Sequence, residues 1–268
     1  MIFDLDQTLW NGVLSEENVS LKKEFVHAIL ELDKKGILMS IVSKNSMEQA
    51  NEKLEEFGIA DYFIFPQINY KKKYLNVLLI SRKIGISAEQ MVFVDDDIYE
   101  IKEMNFYIPS MKAVTPEEFI ISLKNKRYDV ELITEETKNR RQYFLSEMKR
   151  IKDEKLYTSI EKSDEFNSRL KMKIFYRKFK IQDKERVNEL ISRTTKFNNI
   201  GEKNKNLKMD VLVYKDNYFE HGIVGVIGYE IKNSVMKLEL VCISCRLYAR
   251  GIIVAQLSRQ KSKIFIMN

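Results

Sequence analysis

Acidic residues follow directly after two short apolar segments of this sequence. Asp4 and Asp6 come immediately after the first apolar residues, and an unbroken triplet, Asp95–Asp97, ends a later apolar run. Crowded carboxylates repel one another unless a cation lies among them. Oxygen ligands of this kind are typical of Mg²⁺, which in proteins that act on phosphates is bound by a few carboxylates together with waters and substrate oxygens. The pattern therefore predicts a Mg²⁺ site, and the alternative is a set of acids that only cap loops.

The elements that must position these side chains are short apolar strands that alternate with amphipathic helices. The predicted strands are one beginning at residue 2 and those at 37–42, 62–65 and 91–94, and the predicted helices are 20–35, 46–57, 72–84 and 98–105. This alternation predicts a parallel sheet covered on both faces. Because the carboxyl ends of such strands share one edge, where ligands bind, Ser43 at the end of the second strand joins the acids there.

The helix over residues 72–84 is predicted to place four apolar side chains on one face. These are Leu75, Leu78, Leu79 and Ile84. They recur at the spacing of an amphipathic helix, so this face is expected to pack against the sheet.

The second half of the chain has a different pattern of charged and apolar residues. Residues 134–162 are rich in Glu, Lys and Arg and predict a charged helical connector, and later segments alternate like the strands of a mostly antiparallel sheet. The predicted second-half elements are strands at 171–181, 209–215, 222–231 and 235–245 with a helix at 182–194. We therefore predict an α/β domain at 1–125, a connector at 126–165 and an α+β domain at 166–268.

Composition narrows the class of protein. The chain has 268 residues, 44% of them hydrophobic, and no apolar run long enough to cross a bilayer. Two cysteines cannot form a disulfide framework, so we expect a reducing, cytoplasmic setting. A net charge of +6 indicates either a solvated lysine-rich surface or attraction to an acidic partner. We predict neither a nucleic-acid nor a membrane partner.

The acidic motifs resemble those of the haloacid dehalogenase (HAD) superfamily. Asp4-Leu5-Asp6-Gln7-Thr8 matches its DxDxT motif, Ser43 its second motif, Lys73 its third and Val94-Asp95-Asp96 its fourth. The resemblance implies an enzyme in which Asp4 is the nucleophile and takes a phosphoryl group as an aspartyl-phosphate. It also implies that Asp6 is the general acid and then the general base.

The same resemblance implies the remaining roles at the site. Ser43 and Lys73 would hold the phosphoryl oxygens. Mg²⁺ would be bound by Asp4, by the main-chain carbonyl of Asp6 and by one acid of the fourth motif, with Asp96 favoured and Asp95 beside it. For Lys73 the alternative is a surface charge, because it follows two other lysines.

Further segments resemble a narrower branch, the FkbH-like proteins of HAD subfamily IIIC, with a GNAT-like second domain. They are Asp6–Leu14, Ser43–Asn45, Phe93–Asp97, Thr194–Asn198, Gly222–Gly228 and Ile243–Arg246. The branch implies a HAD core without a large cap. It also implies removal of phosphate from 1,3-bisphosphoglycerate and loading of the glyceryl unit onto an acyl carrier protein. The substrates would thus be a small phosphorylated acyl donor and an acidic carrier that suits the positive net charge.

Three departures from that branch keep other functions open. Val42 stands where loading members are expected to have a cysteine. Cys242 and Cys245 lie elsewhere and are expected to be packed in the core, with acyl chemistry at Cys245 and redox or metal binding by the pair as alternatives. Ala249 interrupts the glycine-rich loop of acetyltransferases, so we expect no acetyltransferase activity. We also expect the chain to be shorter than the branch at both ends. The alternatives are a simple HAD phosphatase on a small phosphorylated metabolite and a non-catalytic module that binds a carrier protein.

Overall fold

The chain divides into two units, residues Met1–Met148 and Lys149–Asn268. The computed structural model describes residues 1–16, 18–130, 133–154, 170–193, 198–200, 207–232 and 235–244. Within these ranges, no helix has the length and apolarity that a bilayer crossing requires.

The first unit is built on a parallel sheet of five strands in the order β5-β4-β1-β6-β7. The strands are β1 (Ile2–Phe3), β4 (Ser40–Ser43), β5 (Gln67–Ile68), β6 (Val92–Val94) and β7 (Lys112–Val114), and a hairpin of β2 (Trp10–Asn11) and β3 (Ser20–Leu21) follows β1. The helices are α1 (Lys23–Lys34), α2 (Met47–Glu56), α3 (Lys73–Ile84), α4 (Ile98–Tyr107), α5 (Pro116–Lys124), α6 (Glu135–Lys138) and α7 (Arg140–Glu154), of which the last crosses the division between the units. The predicted parallel sheet is confirmed.

Neighbouring residues of each central strand enter two separate apolar cores. In β1, Phe3 packs with Phe25 and Phe119 on one side, with ring centroids 5.9 and 5.3 Å away, while Ile2 belongs to the other core. Val94 and Phe93 of β6 divide in the same way. Because successive side chains of a strand point to opposite faces, both faces of this sheet are buried, which explains why its strands are apolar without alternation.

The third predicted strand is wrong. Residues 62–65 do not form a strand; a short 3₁₀ helix occupies Ala60–Tyr62, and β5 comes later, at Gln67–Ile68. Phe63, Ile64 and Phe65 are buried all the same, and Phe65 has a φ of 47°, which interrupts extended backbone. A buried apolar run does not by itself distinguish a strand from a buried turn.

The predicted apolar face of α3 is confirmed for Leu78 and Ile84, which pack against the core that contains Ile2, but it is wrong for Leu75 and Leu79. Leu75 and Leu79 are 49% and 39% exposed, whereas the buried positions of α3 are Lys73, Asn76, Val77 and Ile80. These four recur at the spacing of one helix face. The helix is therefore rotated so that a lysine and an asparagine, rather than two leucines, face the interior.

The second unit contains an antiparallel sheet of five strands in the order β8-β10-β11-β12-β9. Its elements are β8 (Lys173–Lys178), α8 (Lys184–Arg193), β9 (Asn198–Ile200), β10 (Lys208–Lys215), β11 (Glu220–Lys232) and β12 (Val235–Ile243). The predicted antiparallel sheet is present. Cys242 is fully buried in the core beneath α8, whereas Thr194–Phe197, Cys245 and Arg246–Gly251 lie outside the described residues.

The contact between the turn after α1 and α6 can be tested by substitution of a glycine. Gly36 has a φ of 65°, and a Cβ there would lie 2.3 Å from Thr137 Cγ2; Gly85 has a φ of 68° with nothing within 4 Å of such a Cβ. We expect Gly85→Ala to lower the free energy of unfolding by about 1 kcal/mol through backbone strain alone. Gly36→Ala should cost roughly 2 to 4 kcal/mol, because overlap with Thr137 is added. Urea unfolding of both variants measures the difference, and equal losses would contradict the packing of α6 against this turn.

Candidate active site

The ends of three adjacent strands bring the predicted site residues together. Ser43 is the last residue of β4, Asp4 follows β1 and Asp95 follows β6, and these strands are neighbours in the sheet. The exposed fractions of Asp4, Ser43 and Asp95 are only 5%, 1% and 1%. The main chain fixes the acids, because Asp4 N donates to the carbonyl of Val94 and Asp95 N to that of Val114.

Lys73, the first residue of α3, lies between the two buried acids. Its Nζ is 2.9 Å from Asp4 Oδ1 and 2.7 Å from Asp95 Oδ2, and its side chain is 7% exposed. Burial opposes the charged form of Lys73, but the negative charges of Asp4 and Asp95 outweigh it and raise the pKa of the lysine. The preceding Lys71 and Lys72 are exposed. Lys73 is therefore a permanent buried cation at this edge of the sheet.

One cation does not balance the acids around it. Burial raises the pKa of Asp4, and the attraction to Lys73 offsets this only in part. Burial, followed by repulsion from Asp4, raises the pKa of Asp95 to about 7. Ionisation of both Asp4 and Asp95 is therefore unfavourable. An added cation would reduce the repulsion between the two carboxylates.

The acids offer a cation a cluster of oxygen ligands. Carboxylate oxygens of Asp4, Asp95 and Asp96 all lie within 4.8 Å of one another. Asp4 Oδ1 is also in an ion pair with Lys73 Nζ, 2.9 Å away. Asp96 is exposed and is oriented by Thr8, whose Oγ1 donates to Asp96 Oδ1 over 3.0 Å. An all-oxygen set of this kind fits a hard divalent ion such as Mg²⁺.

The carboxylate of Asp6 is not part of that cluster and is held by three donors. Trp10 Nε1 donates to Asp6 Oδ1 over 2.7 Å, and Leu14 N donates to the same oxygen over 3.1 Å. Asn45 Nδ2 donates to Asp6 Oδ2 over 3.0 Å and to Ser43 Oγ over 3.2 Å. A half-buried carboxylate is thus fixed next to the Ser43 hydroxyl.

Sequence reasoning missed Trp10, Asn45 and Thr8 as members of this site. Trp10 and Asn45 stand in segments that resemble the FkbH-like branch, but nothing in their spacing assigned them a partner. Their contacts depend on the turn after Asp6, where Gln7 takes a φ of 52° and folds the chain back. The sequence feature that could have indicated the contact between Trp10 and Asp6 is their spacing of four residues.

Residues 10–104 match the family described as haloacid dehalogenase-like hydrolase. Human magnesium-dependent phosphatase 1 is 27% identical over 124 residues, which cover 39% of this chain and 70% of that protein. The first unit therefore contains a HAD-type hydrolase domain, as the motifs predict. The FkbH-like branch and a GNAT-like second domain stay predictions.

Two solved structures are also similar to this chain. The N-terminal part of Bacteroides fragilis BF1531, which contains a phosphatase domain complexed with Mg, is 27% identical with a TM-score of 0.40, and the match covers 50% of this chain and 40% of that one. The 3-deoxy-D-manno-octulosonate 8-phosphate phosphatase of Moraxella catarrhalis, in complex with magnesium, phosphate and KDO, is 20% identical with a TM-score of 0.30. That match covers 38% of this chain and 59% of the Moraxella protein.

The raised pKa of Asp95 predicts a pH dependence of stability. A buried acid with a pKa of about 7 keeps a proton that the unfolded chain, with a value of 3.8, loses as the pH rises. Between these values stability must fall with rising pH. With divalent ions removed, we expect wild type to lose on the order of 1 kcal/mol or more relative to Asp95→Asn between pH 5 and pH 7.5.

Chemical unfolding of both proteins at the two pH values measures this change. Asparagine keeps the shape of the side chain but does not titrate, so the comparison cancels the other titrating groups of the chain to a first approximation. A difference in stability that is the same at both pH values would show that Asp95 folds in its charged form.

Proposed function

We propose that this protein, whose first unit contains a HAD-type hydrolase domain, is a Mg²⁺-dependent phosphatase that works through an aspartyl-phosphate on Asp4. The observation that carries the proposal is the bridge from Lys73 to Asp4 and Asp95, beside the oxygen cluster completed by Asp96. Together these groups offer a carboxylate nucleophile, a buried cation and metal ligands at one edge of the sheet.

Each side chain has a role in the proposed reaction. Asp4, the Asp6 carbonyl and Asp96 would hold Mg²⁺, which when bound offsets the negative charge of the phosphoryl oxygens. A carboxylate oxygen of Asp4 attacks phosphorus while the bond to the leaving oxygen breaks, and the carboxyl of Asp6 gives that oxygen its proton. Lys73 and the Ser43 hydroxyl contact the phosphoryl oxygens and stabilise their charge.

The second step regenerates the site. The Asp6 carboxylate takes a proton from a water molecule as the water oxygen attacks phosphorus, and the bond between phosphorus and Asp4 breaks. Inorganic phosphate leaves, Asp4 is again a carboxylate, and Asp6 is again protonated. The same carboxyl group thus acts first as acid and then as base.

We expect Asp4→Asn to abolish Mg²⁺-dependent release of phosphate, because an amide cannot act as the nucleophile. The measurement is phosphate release from an aryl phosphate with Mg²⁺ and with EDTA. Asp97→Asn is the matched control. Among the described residues the side chain of Asp97 caps α4 by accepting a hydrogen bond from Tyr99 N, asparagine caps a helix equally well, and the main-chain N–H that Asp97 donates to Asp95 is kept. Equal slow release by wild type and Asp4→Asn would contradict the proposal and favour a non-catalytic binding module.

A second candidate is the transfer of a glyceryl unit from 1,3-bisphosphoglycerate to an acyl carrier protein. It is favoured by the FkbH-like segments around Asp6, Ser43 and Asp95 and by the short connection between β1 and β4. Between β1 and β4 the structure has only the β2–β3 hairpin and α1, so no large cap domain is inserted there. Val42, in place of the expected cysteine, is fully buried and cannot form a thioester, which favours simple phosphatase action.

Mass spectrometry of a carrier protein decides between these two candidates. The protein is incubated with Mg²⁺, 1,3-bisphosphoglycerate and the phosphopantetheinylated carrier protein from its own pathway. A phosphatase predicts phosphate release with no change in carrier mass, and the reaction should depend on Asp4. The added mass of one glyceryl unit would instead establish the transferase. We expect Val42→Cys to leave the carrier unloaded as well, because the residue points into the core.

A further inference from the structure

We propose that Trp10 is a positioning residue that directs which oxygen of Asp6 carries the transferred proton. This inference rests on the proposed function, in which Asp6 is the general acid. It goes beyond that function by assigning a role to the only tryptophan of the chain and the proton to a particular atom.

The two oxygens of Asp6 have different surroundings. Oδ1 accepts from Trp10 Nε1 over 2.7 Å and from Leu14 N over 3.1 Å. A carboxylate oxygen has about two acceptor positions, and these two donors fill both. Among the described residues Oδ2 has one donor, Asn45 Nδ2 at 3.0 Å, so one acceptor position remains.

The chemistry of the donors determines which oxygen of Asp6 can carry a proton. An indole N–H and a main-chain N–H can donate but cannot accept, so a proton on Oδ1 would face two other hydrogens. When Asp6 is protonated, the proton therefore resides on Oδ2. In the first step the bond between this proton and Oδ2 breaks, its electron pair stays on the carboxylate, and the proton bonds to the departing oxygen.

The fold holds Trp10 rigidly enough to act in this way. The side chain is fully buried, and its ring lies 6.2 Å from that of Phe57 in a tilted contact. Its main-chain N–H donates to the carbonyl of Leu5, and the residue pairs with Leu21 in the β2–β3 hairpin. The indole N–H is thus anchored independently of Asp6.

The dependence of kcat/KM on the leaving group of the substrate tests the proposal. The kcat/KM of wild type and Trp10→Phe is measured with an alkyl phosphate, whose leaving oxygen needs a proton, and with 2,4-dinitrophenyl phosphate, whose leaving oxygen does not. We expect Trp10→Phe to lose about tenfold or more on the alkyl phosphate, part of the ~10²–10⁴-fold that general acid catalysis supplies. On the activated ester the loss should stay below about threefold.

Two further proteins separate positioning from packing. Phe57→Leu removes the ring that packs on Trp10 but keeps the indole N–H, so it should lower Tm without changing the ratio of the two kcat/KM values. Replacement of the only tryptophan by 3-benzothienylalanine keeps the bicyclic shape and removes only the N–H. It should reproduce the selective loss of Trp10→Phe even if phenylalanine at this position prevents folding.

Equal losses on both substrates, or no loss with the benzothiophene side chain, would overturn the role of Trp10. That result differs from a failure of the proposed function, in which wild type itself would release no phosphate from either ester. Selective loss on the alkyl phosphate in both variants, with Phe57→Leu unaffected in its ratio, is the result that the geometry of Asp6 predicts.

Discussion

A single buried ammonium group lies between two buried carboxylates, and much of the first unit is arranged around it. Lys73 must reach both Asp4 and Asp95, which follow neighbouring strands, so α3 has to begin at the carboxyl edge of the sheet. An unpaired charge in this position would be strongly destabilising, because removal from water is costly for either partner. Because α3 turns Lys73 toward these acids, Leu75 and Leu79 on another part of its surface remain exposed.

The sequence was sufficient for the parts of the fold that depend on burial alone. The strands around Phe3, Ile41 and Phe93 are apolar throughout because both faces of the sheet are covered, and this pattern predicts a parallel sheet. It failed at Phe63–Phe65, where an equally buried run forms a turn, and at β7, a three-residue edge strand with little signal. On α3 the apolar periodicity was right for Leu78 and Ile84 and wrong for Leu75 and Leu79, because the ion pairs of Lys73 also determine which face is buried.

For the site, sequence reasoning supplied the groups that follow directly from strand ends, but not the groups that orient them. Asp4, Ser43 and Asp95 meet because parallel strands end at one edge. Trp10 and Asn45 reach Asp6 only through the turn at Gln7 and the loop after β4, and no periodicity reports such contacts. Hydrogen bonds between side chains of distant loops are a property of the folded backbone, so they had to be read from the structure.

The contact between Trp10 and Asp6 has an optical consequence. An excited indole has a larger dipole than in its ground state, so its emission responds to the charge beside its N–H. Since the chain has one tryptophan, all of its indole fluorescence originates 2.7 Å from a carboxylate oxygen of the candidate site. The single indole is therefore positioned, by its own hydrogen bond, to report changes of charge at the candidate site without an added label.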